Sequence, residues 1–172
     1  MRRRKAESPS RQLRGKARKA YEDWEDRLEE ISVGWGRRAE TGGDPDNRRS
    51  AFLFREIYRL VNDLQESYGD RLEDAFLAKL GREPTISYHK MPYLWALKAA
   101  NGSEGIKLSE DQVLRYGVAL SYAKQHLVPP HFLWGFLHQV GGIRSIARKW
   151  REGQVEDWFA TIDHDADPPS NA

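Results

Sequence analysis

The residues best suited to binding chemistry are three arginines near the carboxyl end of the chain, Arg144, Arg148 and Arg151. On an α-helix, spacings of four and three residues place them on one face, about one turn (~5.4 Å) apart. A guanidinium can donate two parallel hydrogen bonds to one phosphate. We therefore expect these arginines, with Lys149 beside them, to contact the phosphates of a nucleic acid. The alternative is a solvated basic face near a helix C-terminus, where positive charge is favoured without a ligand.

The same segment carries an apolar stripe at helical spacing, made by Ile143, Ile146, Ala147 and Trp150. This pattern predicts an amphipathic helix that packs on one side and presents the arginines on the other. It does not resemble a groove-reading helix–turn–helix. With Gly141 or Gly142 as the turn glycine, the position four residues earlier holds Leu137 or His138, where that motif places a small residue. We expect phosphate contacts with little reading of base sequence.

A second basic feature lies at the amino end, where the first 20 residues carry nine bases and one acid, net +8. The bases are Arg2, Arg3, Arg4, Lys5, Arg11, Arg14, Lys16, Arg18 and Lys19. Residues 1–15 are polar, so we expect a disordered arm that follows a polyanion's field and loses affinity as salt rises. One alternative is that the arm binds an acidic protein or the chain's own tail, since residues 153–172 hold five acids and no base. Another is that it has no specific partner and only keeps the protein in solution.

One tryptophan stands apart from the helical apolar patterns. Trp35 lies between two glycines and is followed by Arg37 and Arg38. An exposed indole next to arginines can stack on a base or anchor a protein partner. Burial in the core is the alternative for this side chain.

Nothing in the sequence predicts catalysis, a cofactor or a metal site. The chain has no cysteine, which excludes disulfides and thiolate-bound metals. His126, His131 and His138 are close in sequence but lack a known metal-ligand spacing. There is no glycine-rich phosphate loop and no nucleophile elbow. The irregular segment 82–90 (REPTISYHK) is the one loop rich enough in polar side chains to line a site, and we expect a protein that is not an enzyme.

Apolar periodicity and helix-end signals predict how these residues are positioned. We predict helices near residues 17–33, 51–65, 71–80, 93–100, 110–126, 131–140 and 143–152. The clearest helix start is the sequence SEDQ, in which Ser109 and Gln112 form a capping box. The predicted fold is all-α, a compact bundle-like domain of six to eight helices over residues 16–160. It lies between the basic arm and a disordered acidic tail, residues 161–172.

Composition sets the remaining expectations. A chain of 172 residues with 39% hydrophobic residues fits one domain. It has no apolar run of about 20 residues, so we expect no membrane segment and a cytoplasmic protein. An excess of arginine (19) over lysine (9) favours a bacterial source. We expect a nucleic-acid-associated accessory protein, either a regulator or a subunit of a nucleoprotein complex. The alternatives are a helical protein–protein interaction module, including a homo-oligomer, and an enzyme of unknown type.

Overall fold

The computed structural model describes residues 13–38, 48–101 and 105–156, and within these ranges the chain is helical without strands. The helices are α1 (Gly15–Gly36), α2 (Arg49–Tyr68), α3 (Arg71–Leu80), α4 (Pro92–Ala100), α5 (Glu110–Gln125), α6 (Leu133–Gln139) and α7 (Gly142–Glu152). A short 3₁₀ helix, Pro130–Phe132, precedes α6. The predicted all-α fold of six to eight helices is confirmed.

The predicted basic arm overlaps the start of the folded part of the chain. Leu13 is partly buried against the core and α1 already begins at Gly15, so the end of the predicted arm belongs to the folded part. Residues 1–12 lie outside the described residues. So do residues 157–172, which include the predicted acidic tail.

Helix α2 is the centre of the fold because it is apolar on most sides. Its buried residues are Ala51, Phe52, Leu53, Phe54, Ile57, Tyr58, Leu60, Val61 and Leu64. It packs against α1, α3, α4 and α6. The ring of Tyr58 stacks on Tyr93 of α4 at 5.3 Å, and its hydroxyl donates to the carbonyl oxygen of Val128 at 2.8 Å. One buried tyrosine thus ties α2 both to α4 and to the segment before α6.

Helices α4 and α5 approach each other closely where α5 carries a glycine. A Cβ built on Gly117 would lie 2.9 Å from the Cα of Leu94. The start of α5 is the predicted capping box: the Gln112 amide donates to the Ser109 hydroxyl at 3.2 Å, and the Ser109 amide donates to the Gln112 side chain at 2.9 Å. The position of α5 along α4 is therefore defined by a local cap and by a tight helix–helix contact.

The last helix rests on the surface that α5 and α6 provide. Ile143 lies beside Gln112 and Tyr116, in the first half of α5, whereas Lys149 lies near Tyr122, in the second half. Helix α7 therefore runs in the same direction as α5. No helix in the described ranges is both long and apolar enough to cross a bilayer.

Candidate nucleic-acid interface on the last helix

Helix α7 is held by its apolar side, as its sequence pattern predicts. Ile146 is fully buried, and Ile143 and Trp150 are partly buried against the same core. Two glycines with positive φ lie at the start of the helix: Gly141 (φ 97°) precedes it, and Gly142 (φ 76°) is its first residue. Residues other than glycine adopt positive φ only at an energetic cost, so these glycines allow the sharp turn from α6 into α7.

The opposite side of α7 presents Arg144, Arg148 and Arg151, which we call the arginine stripe. All three residues are exposed. None of them forms an ion pair with a carboxylate of the described residues. The only side-chain hydrogen bond of the stripe within those ranges runs from Arg151 Nε to the carbonyl oxygen of Ala147, at 3.2 Å. The stripe therefore offers three guanidiniums to solvent, whereas Arg27, for example, is paired with Asp63 at 2.9 Å.

Lys149 departs from the prediction that it contacts phosphate beside the arginines. Its ammonium lies 2.5 Å from the Glu156 carboxylate, and only 17% of the side chain is exposed. Residues after α7 turn back at Gly153 and bring that carboxylate onto the helix. Because the charge of Lys149 is neutralised inside the fold, we exclude it from the candidate interface.

Glu156 is the centre of a hydrogen-bonded cluster that fastens this returning segment to α5. Tyr122 donates its hydroxyl to the carboxylate at 2.8 Å, and the backbone amide of Glu156 donates to Nε2 of His126 at 2.8 Å. The other ring nitrogen of buried His126, Nδ1, donates to the Tyr122 carbonyl oxygen at 2.8 Å. The two hydrogen bonds fix the orientation of the ring, with Nε2 as the acceptor and Nδ1 as the donor.

The same cluster shifts the pKa values of its acidic groups in opposite directions. Burial acts to raise the pKa of the Glu156 carboxyl, but the hydrogen bonds from Lys149 and Tyr122 and the lysine's charge outweigh it and lower that pKa. Burial raises the pKa of the Tyr122 phenol, and the hydrogen bond to the Glu156 carboxylate raises it further. Glu156 is therefore a carboxylate, and Tyr122 a neutral donor, at neutral pH.

The described part of the predicted arm lies on another region of the fold. Arg14, Lys16 and Lys19 are exposed, and Arg18 is paired with Glu22 at 2.8 Å. Helix α1 packs on α2 and α3, whereas α7 packs on α5 and α6. The basic start of α1 and the arginine stripe therefore lie on helices that pack against different parts of the fold. The remaining predicted bases, Arg2, Arg3, Arg4, Lys5 and Arg11, lie outside the described residues.

Trp35 is not the exposed anchor that its neighbouring glycines and arginines suggested. It is 7% exposed, and the guanidinium of Arg49 lies 5.2 Å from the centre of its ring. Arg38 likewise covers the ring of Phe52, at 3.7 Å. The glycine at position 34 allows this packing, since a Cβ there would lie 2.5 Å from the Phe52 ring. The prediction that Trp35 stacks on a base or anchors a partner is therefore wrong: arginines cover the aromatic surface here.

A pocket that the sequence did not reveal adjoins the arginine stripe, and we call it the α5–α7 pocket. Its volume is about 450 Å³. It is lined by Gln112, Arg115, Tyr116, Trp134, Leu137, His138, Gly141, Gly142, Ile143 and Arg144. Arg144 thus belongs both to the stripe and to the pocket. No periodicity could reveal this site, because it forms where three helices meet.

Residues 82–86 of the loop considered for chemistry line a second pocket, of about 610 Å³, together with residues of α3, α4 and α5. The other polar residues considered for chemistry do not converge. Tyr88 is buried in the core, where burial raises its pKa to about 12, while His89 and Lys90 are exposed. His131 and His138 are exposed, unlike buried His126. The described residues contain no group of three potential metal ligands. No protein-family model, curated protein or solved structure matches this chain.

Proposed function

We propose that this chain is a nucleic-acid-associated accessory protein that binds phosphates through the arginine stripe. The observation that carries the proposal is the arrangement of Arg144, Arg148 and Arg151 on one solvent-facing side of α7, without carboxylate partners among the described residues. Side chains three and four positions apart on a helix are neighbours, so successive phosphates of one strand can meet successive guanidiniums. The basic arm would add long-range attraction without fixed geometry.

The rigidity of α7 supports the same proposal. A phosphate-binding helix has to keep its contacts in register, and α7 is fixed by the buried side chain of Ile146 and by the Lys149–Glu156 ion pair. The exposed pairs elsewhere, such as Arg71 with Asp74 at 3.3 Å, leave carboxylates beside their arginines. A nearby carboxylate repels phosphate. Glu152, which lies on α7 one turn after Arg148, accepts a hydrogen bond from the Gln154 side chain at 2.8 Å and forms no ion pair with the stripe.

The test is the salt dependence of oligonucleotide binding by the full chain. Binding of random-sequence duplex and single-stranded oligonucleotides would be measured by fluorescence anisotropy over a range of salt concentrations. Replacing Arg144, Arg148 and Arg151 together by Ala should weaken binding and reduce the slope of log K against log [salt] by roughly two to three, about one for each lost phosphate contact.

A matched variant controls for net charge. Replacing Arg59, Arg71 and Arg82 by Ala also removes three exposed positive charges, but from other parts of the surface. This control should keep most of the wild-type slope. Equal slopes for both triple variants would show that only total charge matters and would remove the stripe from the proposal.

A second candidate function, a helical protein–protein interaction module, is favoured by a different surface. Leu127 is 79% exposed and Phe132 is 51% exposed, on either side of two prolines that stiffen the segment. Large apolar side chains that are left exposed are typical of protein contacts where they form one patch. If both triple variants bind oligonucleotides as the wild type does, this module becomes the better interpretation.

A further inference from the structure

The α5–α7 pocket deepens the proposed function, because it lies where the arginine stripe begins. We propose that the pocket receives one unpaired nucleotide of a single strand whose neighbouring phosphates lie on the stripe. This inference rests on the proposed function and adds to it a substrate class: single-stranded rather than duplex nucleic acid.

The size and the walls of the pocket fit a nucleotide. About 450 Å³ lies within the range of roughly 300–1,000 Å³ that is typical of small-molecule sites. Tyr116 and Trp134 supply aromatic surface, and Leu137 and Ile143 supply apolar surface. A nucleobase is a flat aromatic ring, and stacking on side chains of this kind is the usual way in which proteins hold unpaired bases.

The charges at the pocket fit the phosphate of the same nucleotide. Arg115 of α5 and Arg144 of α7 both line it. Arg115 is paired with Asp111, but the Asp111 side chain is 65% exposed, and exposed pairs of this kind contribute little. The Arg115 guanidinium can therefore turn from that carboxylate to a phosphate at a small energetic cost. Exposed His138 is a further hydrogen-bonding group at the pocket.

Continuity with the stripe favours a strand over a free nucleotide. Arg144 lines the pocket, and Arg148 and Arg151 continue from it along the same face of α7. A strand that contacts Arg148 and Arg151 through its phosphates can therefore place the next nucleotide at the pocket. Bases of a duplex are paired and stacked inside the helix, so a duplex could fill the pocket only by flipping a base out.

The experiment compares four probes with the full wild-type chain at fixed salt: a labelled dT 12-mer, the same strand with abasic residues, a 12-base-pair duplex, and dTMP. The abasic strand keeps the phosphates and lacks the bases. We expect the dT strand to bind roughly tenfold more tightly than the abasic strand, and more tightly than the duplex. Free dTMP should bind far more weakly than the dT strand, since it cannot reach the stripe.

A substitution in the pocket tests whether the preference for the dT strand over the abasic strand arises there. Trp134→Leu removes the indole while keeping an apolar side chain against Phe54, whose ring centre lies 6.0 Å from that of Trp134. It should lose the tenfold preference for dT and leave binding of the abasic strand unchanged. Because the dT-to-abasic ratio is measured on the wild type, the inference can fail even if this variant does not fold.

The outcomes separate the two proposals. Equal binding of dT, abasic and duplex probes, with a salt slope that the stripe variant reduces, would overturn the pocket inference and leave the proposed function intact. Equal affinity for dTMP and the dT strand would overturn the inference that the ligand is a single strand, and would assign the pocket to a free nucleotide. Binding that the stripe variant leaves unchanged would overturn the proposed function itself.

Discussion

At the scale of single residues, Leu127, just after α5, is the one non-glycine residue in the described ranges with a positive φ. Its φ is 54°, in the left-handed region, and its side chain is 79% exposed. Its amide donates to the Lys124 carbonyl oxygen at 3.0 Å, and the Val128 amide donates to that of Ala123 at 3.1 Å. This is the hydrogen-bond pattern of a Schellman helix end, in which the left-handed residue is usually glycine.

Leu127→Gly should therefore stabilise the fold. The left-handed conformation costs a leucine roughly 1–2 kcal/mol, and the exposed side chain returns little of this through packing. We expect the free energy of unfolding to rise by about 1 kcal/mol in urea denaturation. Leu114→Gly is the control, because Leu114 is 45% exposed inside α5 and glycine there should cost about 1 kcal/mol. A loss of stability in Leu127→Gly would show that its side chain packs usefully in the fold.

Single residues also show where sequence reasoning stops. The Ser109 cap and the end of α3 at Gly81 were predictable because local chemistry determines them. The burial of Trp35 was not, because the flanking glycines suggested an exposed turn, whereas α1 continues to Gly36 and Gly34 makes room for Phe52. Likewise, the partner of Lys149 comes from a segment that only the fold returns to α7.

At the scale of elements, two glycines inside helices play opposite roles. A Cβ on Gly117 would lie 2.9 Å from the backbone of Leu94, whereas a Cβ on Gly135 of α6 would have no neighbour within 4 Å. Alanine favours a helix over glycine by roughly 0.5–1 kcal/mol when nothing obstructs its methyl group. The space around the new methyl group should therefore decide whether a change from glycine to alanine stabilises or destabilises the protein at these two positions.

We expect Gly117→Ala to destabilise the protein by about 1–3 kcal/mol, because α4 has to move away from α5 to admit the methyl group. Gly135→Ala should stabilise it by up to about 1 kcal/mol. Chemical denaturation of both variants measures the two effects. If Gly117→Ala were as stable as Gly135→Ala, the close contact of α4 and α5 would not exist in solution.

Helices could be predicted from the sequence where the spacing of their own apolar and charged residues indicates them. The apolar stripe of α7 and its arginine face follow from spacing alone, and the helices of the described ranges lie close to their predicted positions. The segment 131–140 is strongly apolar in sequence, but His131, Phe132 and His138 are exposed. Helix α6 turns Leu133, Phe136 and Leu137 inward, and Val140 after it is also buried. The α5–α7 pocket depends on three helices meeting, which periodicity does not encode.

At the scale of the whole molecule, the fold is closed at the carboxyl side by residues 153–156 returning to α5 and α7. Glu156 joins Lys149, Tyr122 and His126, which come from both helices. Loss of this contact would release α7 from one of its two attachments, leaving mainly the apolar packing around Ile146. The Glu156 carboxylate therefore adds to the apolar packing that positions the arginine stripe, and the stability of the protein should show its contribution.

Glu156→Gln removes the charge and keeps the shape, which leaves the mostly buried Lys149 ammonium without a counter-ion. We expect a loss of roughly 1–2 kcal/mol at pH 7 in urea denaturation. Because the folded protein lowers the pKa of Glu156, the stabilisation is complete above the ordinary glutamate pKa of about 4.3 and is lost as pH falls through the lowered value. The difference in stability between wild type and variant should thus shrink below about pH 4.

Glu152→Gln is the control: it changes an exposed carboxylate and should alter the free energy of unfolding little. If the difference between wild type and Glu156→Gln persisted undiminished at pH 2–3, the ion pair would be excluded as its cause.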